Sequence, residues 1–126
     1  MGDKIDYGLI NARKAIQELH AYVAEPVRTA RDRAGIIQAF EFSYEAIWKL
    51  LQKIAEADGL SVNSPREAFS FAFQKGLVTD QKIWISMIRH RNLTTHVYRE
   101  DVAQEVFRAI VDSYVQEWDF FMDNLP

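Results

Sequence analysis

The apolar residues of this chain recur every three or four positions from one end to the other, and that spacing constrains the fold more than any other feature of the sequence. It keeps apolar side chains on one stripe of an α-helix. A half-buried strand needs sustained alternation instead, and none occurs. The prolines stand at positions 26, 65 and 126, outside every periodic segment.

The segment 3–24 carries Ile5, Leu9, Ala12, Ile16, Leu19 and Val23 on a single stripe, and Glu25-Pro26 ends it. The residue before a proline is pushed out of the α region, and proline has no amide hydrogen to donate. The spacing predicts a second helix over 28–58, with Ile37, Phe40, Tyr44, Ile47, Leu51 and Ile54 inward. Ile36, Phe42, Trp48 and Leu50 widen its apolar surface, and Gly59 is a suitable stop. Ser64-Pro65-Arg66-Glu67 is a helix start: Ser64 caps, Pro65 takes the first helical position, and Glu67 completes a capping box. A short helix runs from there to Gln74, and Gly76 breaks it. Thr79 or Asp80 caps a fourth helix containing Ile83, Trp84, Met87 and Ile88. The last, over 100–124, uses Ala103, Phe107, Ile110, Tyr114, Trp118, Phe121 and Leu125. Four long helices and one short one, joined by short loops, predict an all-α, antiparallel up-and-down bundle.

A chain of 126 residues suits a single domain, 1–126, able to bury a real core. No apolar run approaches the roughly 18 residues that span a bilayer. The N-terminus, MGDKIDYGLINARK, places charges where a signal peptide needs its apolar centre, so the expected location is cytoplasmic. With no cysteine, disulfides, thiolate metal sites and a cysteine nucleophile are excluded. The net charge of −3 argues against coating nucleic acid through a global positive field. A local site is not excluded: Arg89, His90, Arg91 and Arg99 are clustered, whereas 100–123 is acidic.

That cluster sits in the segment RHRNLTTHVYRE, residues 89–100, a poor helix former with two threonines and a valine. Carrying the inward line of the fourth helix on from Trp84 and Ile88 reaches Arg91, Thr95 and Tyr98, so the core stripe turns polar there. Asn92 and His96, four apart, would touch on an adjacent face. Arg91 and His96 are five apart, some 140° around an ideal helix. They converge on one ligand only if Arg91 reaches around, the helix distorts, or a second subunit completes the site. A buried polar network, with Arg91 paired to a carboxylate of another helix, explains these residues without any chemistry. The chemical reading takes His96 as the proton-transfer group and Arg91 as the holder of a phosphate and of the charge developed on it, a combination able to cut RNA by 2′-hydroxyl attack without a metal.

Arg91-Asn92-Leu93-Thr94-Thr95-His96 resembles the R-N-x-x-x-H motif of the HEPN superfamily, and with Tyr98 it resembles the R-x4-H-x-Y form found in partners of minimal nucleotidyltransferases. Phe40 to Lys49, Ser64 to Glu67 and Arg91 to Tyr98 together are similar to recurrent segments of the nucleotidyltransferase substrate-binding protein family. The resemblance implies a helical bundle that forms a homodimer or a higher hetero-oligomer and binds a minimal nucleotidyltransferase. It implies Arg91 and His96 as catalytic residues of a ribonuclease toxin, with Asn92 orienting His96 and with RNA as substrate. It also implies Tyr98 as the residue that the partner adenylylates. Other members of the family are described as subunits that present an anionic substrate and do no chemistry, and that alternative stays open.

Glu41, Glu45 and Lys49 lie on successive turns of the second helix. Either they form a solvated face with an i,i+4 pair, or Glu41 or Glu45 supplies the carboxylate that supports Arg91 or His96. His20 reads as a surface or interfacial residue, and His90 as a source of local positive charge. The histidines lack metal-ligand spacing, so no metal is expected, and no cofactor motif such as a glycine-rich phosphate loop occurs. Ser43, Ser86 and Thr94 lack a nucleophile's context, and Trp48 and Trp84 read as packing residues.

Overall fold

The computed structural model describes residues 2–125. Its helices are α1 (Gly2–Ala24), α2 (Ala30–Ala57), α3 (Pro65–Gln74), α4 (Gln81–Leu93), α5 (Glu100–Ala109) and α6 (Val115–Asp123). A 3-10 turn, Thr94–His96, follows α4, and a π-helical turn, Ile110–Tyr114, joins α5 to α6 into one long rod. With that rod counted once, the protein is the expected up-and-down bundle of four long helices, and α3 is the extra short one.

Local chemistry sets most of the boundaries. α1 stops at Ala24, ahead of Pro26. Thr29 and Asp32 form a capping box at the start of α2, where two backbone N–H groups, of Arg28 and Thr29, hold the Asp32 carboxyl below the usual carboxylate range. Ser64 caps α3 and Asp80 caps α4, each accepting a hydrogen bond from the amide three residues on. Gly59 and Gly76, both at φ +80°, close α2 and α3; the amides of Leu60 and Leu77 return to Ala55 and Ala72. Only glycine takes that left-handed conformation without strain.

Packing then fixes the topology. Gly8 of α1 lies so close to α2 that an added Cβ would stand 3.2 Å from Leu50 Cδ1, and at the other end of the pair Gly35 faces the Tyr22 ring. The two helices are therefore antiparallel. Trp84 of α4 meets Phe121, and Met87 accepts a hydrogen bond from the Trp118 indole at 3.2 Å, so α4 runs against the rod. Arg33 near the start of α2 grips Glu100 at the start of α5 through two 2.7 Å bonds, and Phe40 stacks on Trp118 at 5.4 Å. The interior is aromatic throughout: Tyr44 meets Phe69 edge-on, Phe69 meets Trp84, and Trp84 meets Phe121.

Two expectations fail here. Phe42 does not widen the core surface of α2; it is 56% exposed. The fourth helix does not continue through Tyr98. It ends at Leu93, where the Thr94 hydroxyl donates to the Arg91 carbonyl at 2.7 Å and the Thr95 hydroxyl to that of Asn92 at 3.1 Å. These bonds occupy carbonyls at the end of the helix and tighten the chain into a 3-10 turn.

Candidate functional site

The inward line of α4 runs Trp84, Met87, His90 and Thr94, all buried. The expected line through Ile88, Arg91, Thr95 and Tyr98 is one residue out of phase. Ile88 and Arg91 are half-buried, Thr95 is exposed, and Tyr98 is 79% exposed. The early end of α4 turns the rest of the motif outward.

Arg91 is held at its inner edge. Its Nη1 donates to Thr94 Oγ1 at 2.8 Å and stands 3.0 Å from Glu41 Oε2. Thr94 Oγ1 also lies 3.1 Å from the same Glu41 oxygen. One buried hydroxyl thus ties the guanidinium of α4 to the carboxylate of α2. Arg91 Nη2 and Nε make no hydrogen bond to a described residue, so the outer edge of the guanidinium is open to an anion. Glu41 is the carboxylate that meets Arg91. Glu45 turns to Lys49 at 3.3 Å.

His96 ends the 3-10 turn and is exposed. Its Nδ1 lies 3.3 Å from the Tyr98 hydroxyl, and the two rings meet edge-on with centroids 5.9 Å apart. No hydrogen bond joins Asn92 to His96 among the described residues; the i,i+4 relation requires a continuous helix, and the chain leaves it at Leu93. Nor does any hydrogen bond link Arg91 directly to His96. Between them the helix is distorted: α4 ends at Leu93 and a 3-10 turn follows.

One turn along α2 from Glu41, Tyr44 is 3% exposed, and burial pushes its phenol up to about 12. The Arg91 charge opposes that rise, Glu45 adds to it, and Arg66 of α3 opposes it. Both arginines therefore lie within electrostatic reach of the Tyr44 hydroxyl.

The sequence reading missed a second polar cluster. His90 is buried, with Nδ1 within bonding distance of the Tyr114 hydroxyl and 3.0 Å from the Ser86 carbonyl, and Nε2 2.9 Å from Glu105 Oε2. Tyr114 Oη is also 2.8 Å from Ser86 Oγ, and Arg89 bonds to Glu105. Burial raises the Tyr114 phenol, and the Arg89 guanidinium lowers the Glu105 carboxyl. His90 is thus a packed core histidine rather than a loose positive charge. The spacing 84–87–90–94 was the signal that could have found it, and Thr94 with it. His20 lies at the surface, 2.8 Å from Asp119. Among the described residues no three His, Asp or Glu side chains gather as a metal-binding group, and no helix is long and apolar enough to cross a membrane.

Residues 7–126 match the model of a family described as nucleotidyltransferase substrate binding protein like. The chain is 29% identical over 97 residues to a Haemophilus influenzae protein named "Probable ribonuclease HepT", an alignment covering 73% of this chain and 66%, just under two thirds, of that one. It is similar to a crystal structure from Thermus thermophilus, with 31% identity, a TM-score of 0.81, and coverage of 89% of this chain and 96% of the other. It also resembles the tri-AMPylated Shewanella oneidensis HEPN toxin in complex with MNT antitoxin, at 18% identity and a TM-score of 0.77 over 98% and 96% of the two chains. That last likeness speaks for the fold alone.

Proposed function

Because the chain belongs to the nucleotidyltransferase substrate binding protein-like family, we propose that it is the HEPN-type partner of a minimal nucleotidyltransferase and a metal-independent ribonuclease that the partner restrains. The observation that carries this reading is the anchoring of Arg91. Glu41 and Thr94 fix one of its nitrogens and leave the others without a hydrogen-bond partner among the described residues, on the segment that also exposes His96 and Tyr98.

In this reading Arg91 binds the scissile phosphate through Nη2 and Nε and stabilises the charge that builds on it. The substrate's 2′-hydroxyl attacks phosphorus and loses its proton as the new P–O bond forms. The bond to the 5′ oxygen breaks, that oxygen takes a proton, and the products are a 2′,3′-cyclic phosphate and a 5′-hydroxyl. His96 performs one of the two proton transfers, an imidazole being able to take or give a proton near neutral pH. A twofold dimer brings a second His96 for the other. Asn92, which makes no bond to His96, is free to meet the strand.

Tyr98 is the regulatory target. The nucleotidyltransferase transfers AMP from ATP to the phenolic oxygen, forming an O–P bond and releasing pyrophosphate. The nucleotide would then stand beside His96 Nδ1, 3.3 Å from the acceptor oxygen before transfer, and would close the site. The name of the Haemophilus relative, a probable ribonuclease, supports the cleavage part of this reading.

A different observation favours a non-catalytic subunit that presents an anionic substrate to its partner: no carboxylate or amide among the described residues orients His96. Purified protein incubated with RNA separates the two. Cleavage that disappears in both Arg91→Ala and His96→Ala, with folding retained, supports the ribonuclease, and RNA bound but uncut by the wild type refutes it. Mass spectrometry after co-expression with the nucleotidyltransferase should show added AMP on Tyr98, and unmodified Tyr98 would remove the regulatory part.

A further inference from the structure

The Tyr44 hydroxyl is unexplained by the fold. The residue is 3% exposed, packed between Phe40 and the edge of Phe69, yet its oxygen makes no hydrogen bond to any described residue. No fully buried side-chain nitrogen or oxygen among those residues lacks a partner, so this hydroxyl must reach solvent. A buried tyrosine normally satisfies its hydroxyl within the protein. Here the ring is used for packing, while the hydroxyl is left without a partner among the described residues.

Two cations lie within electrostatic reach of the Tyr44 hydroxyl. Glu41 lies one turn before Tyr44 on α2 and holds Arg91 on one side at 3.0 Å. Phe69 touches the Tyr44 ring from α3, and Arg66 lies one turn before Phe69, which brings the start of α3 near Tyr44. Arg66 is exposed and makes no ion pair with a described carboxylate, and its charge, like that of Arg91, acts on the Tyr44 phenol. The nearby acidic groups are accounted for, since Glu41 is engaged by Arg91 and Thr94 and Glu45 by Lys49.

We propose that Arg66, the Tyr44 hydroxyl and the outer edge of Arg91 form a phosphate-binding cleft at the junction of α2, α3 and α4, which takes a phosphate of the substrate strand and extends the candidate site onto α3. This rests on the reading of Arg91 as a phosphate-binding residue. Tyr44 donates one hydrogen bond, Arg66 closes the far side, and the ligand is a phosphate monoester or diester, whose oxygens match the two guanidinium groups. Tyr44 and Arg66 are binding residues here and take no part in proton transfer.

Arginine Nε–Hε NMR signals of the full chain, followed during titration with inorganic phosphate at constant ionic strength, test the cleft. The Arg66 and Arg91 signals should move along one saturable curve. Tyr44→Phe, which removes only the hydroxyl, should weaken that binding roughly tenfold, the effect of one charge-assisted hydrogen bond, and Arg66→Gln should weaken it at least as much. An Arg91 response without one from Arg66, a Tyr44→Phe curve that superimposes on the wild type, or no saturation at either arginine would overturn the cleft. RNA cleavage by the same proteins is judged separately. Saturable phosphate binding without cleavage keeps the cleft and ends the ribonuclease reading, whereas cleavage unchanged in Tyr44→Phe and Arg66→Gln keeps the ribonuclease and ends the cleft.

Discussion

Replacing Thr94 with valine keeps the shape of a buried residue and deletes the hydroxyl that joins Arg91 to Glu41. That hydroxyl accepts one bond from Arg91 at 2.8 Å and has a single proton, which lies within reach of Glu41 at 3.1 Å and of the Arg91 carbonyl at 2.7 Å. At most two full hydrogen bonds are therefore lost, at least one of them to a charged group. Hydrogen bonds to charged groups contribute about 1.5–3 kcal/mol and neutral ones about 1. The Arg91 and Glu41 side chains are 33% and 31% exposed, so water replaces part of what the hydroxyl supplied. The expected net loss is about 1–2 kcal/mol, a fall in Tm of roughly 3–8 °C for a chain of this length. Freed at its inner edge, Arg91 should also lose its fixed position, and the RNA cleavage proposed for it should drop by about 10–100-fold, the usual effect of a misplacement near 1 Å. Calorimetry and a fluorescent-RNA assay on the same preparation measure both. A Thr94→Val protein that melts within about 1 °C of wild type and cuts RNA at the same rate would show that the hydroxyl holds nothing, and the account of Arg91 would fall with it.

The buried cluster around His90 invites a second substitution. Tyr114→Phe leaves Ser86 and His90 without their shared partner inside the core, and should cost about 1–3 kcal/mol by urea denaturation; an unchanged midpoint would mean the cluster rearranges freely. Glu105 gives a pH test. Its carboxyl is lowered in the folded protein, first by its bond to Arg89, so the stability it contributes is fully present above the ordinary glutamate value of about 4.3 and is lost as the pH falls through the lower folded value. Denaturation midpoints of Glu105→Gln measured downward from pH 6 should therefore fall less steeply than those of wild type, and parallel curves would contradict this.

The helices were legible because their signals are local. Ser64-Pro65 and Asp80 announce starts by side-chain chemistry that acts within one turn, and Pro26 and the two glycines announce ends. The end of α4 was not legible. Arg91, Asn92 and Leu93 all tolerate helix, and the turn that follows depends on threonine hydroxyls folding back and on Glu41, 53 residues away in sequence from Thr94. The π turn was hidden for a similar reason: Ile110 and Tyr114 fit helical spacing equally well, and Tyr114 is positioned by Ser86 and His90 from another helix. The site shows the same split. Arg91, Asn92, His96 and Tyr98 stand out by residue type, and Glu41 is one of the two carboxylates expected to support Arg91, whereas the support from Thr94 depends on which side of α4 faces inward, one residue out of phase with the expected line.

The 3-10 turn at Thr94–His96 also divides the segment between two kinds of evolutionary constraint. His90 and Thr94 face the interior, so exchanging either disturbs the fold whatever the protein does. Asn92, Thr95, His96 and Tyr98 are exposed, and most changes there leave the bundle standing. Selection can therefore retain, retune or discard the outward residues in separate lineages without rebuilding the scaffold, which would let related chains keep one architecture while differing in whether they act on a bound strand or only hold it.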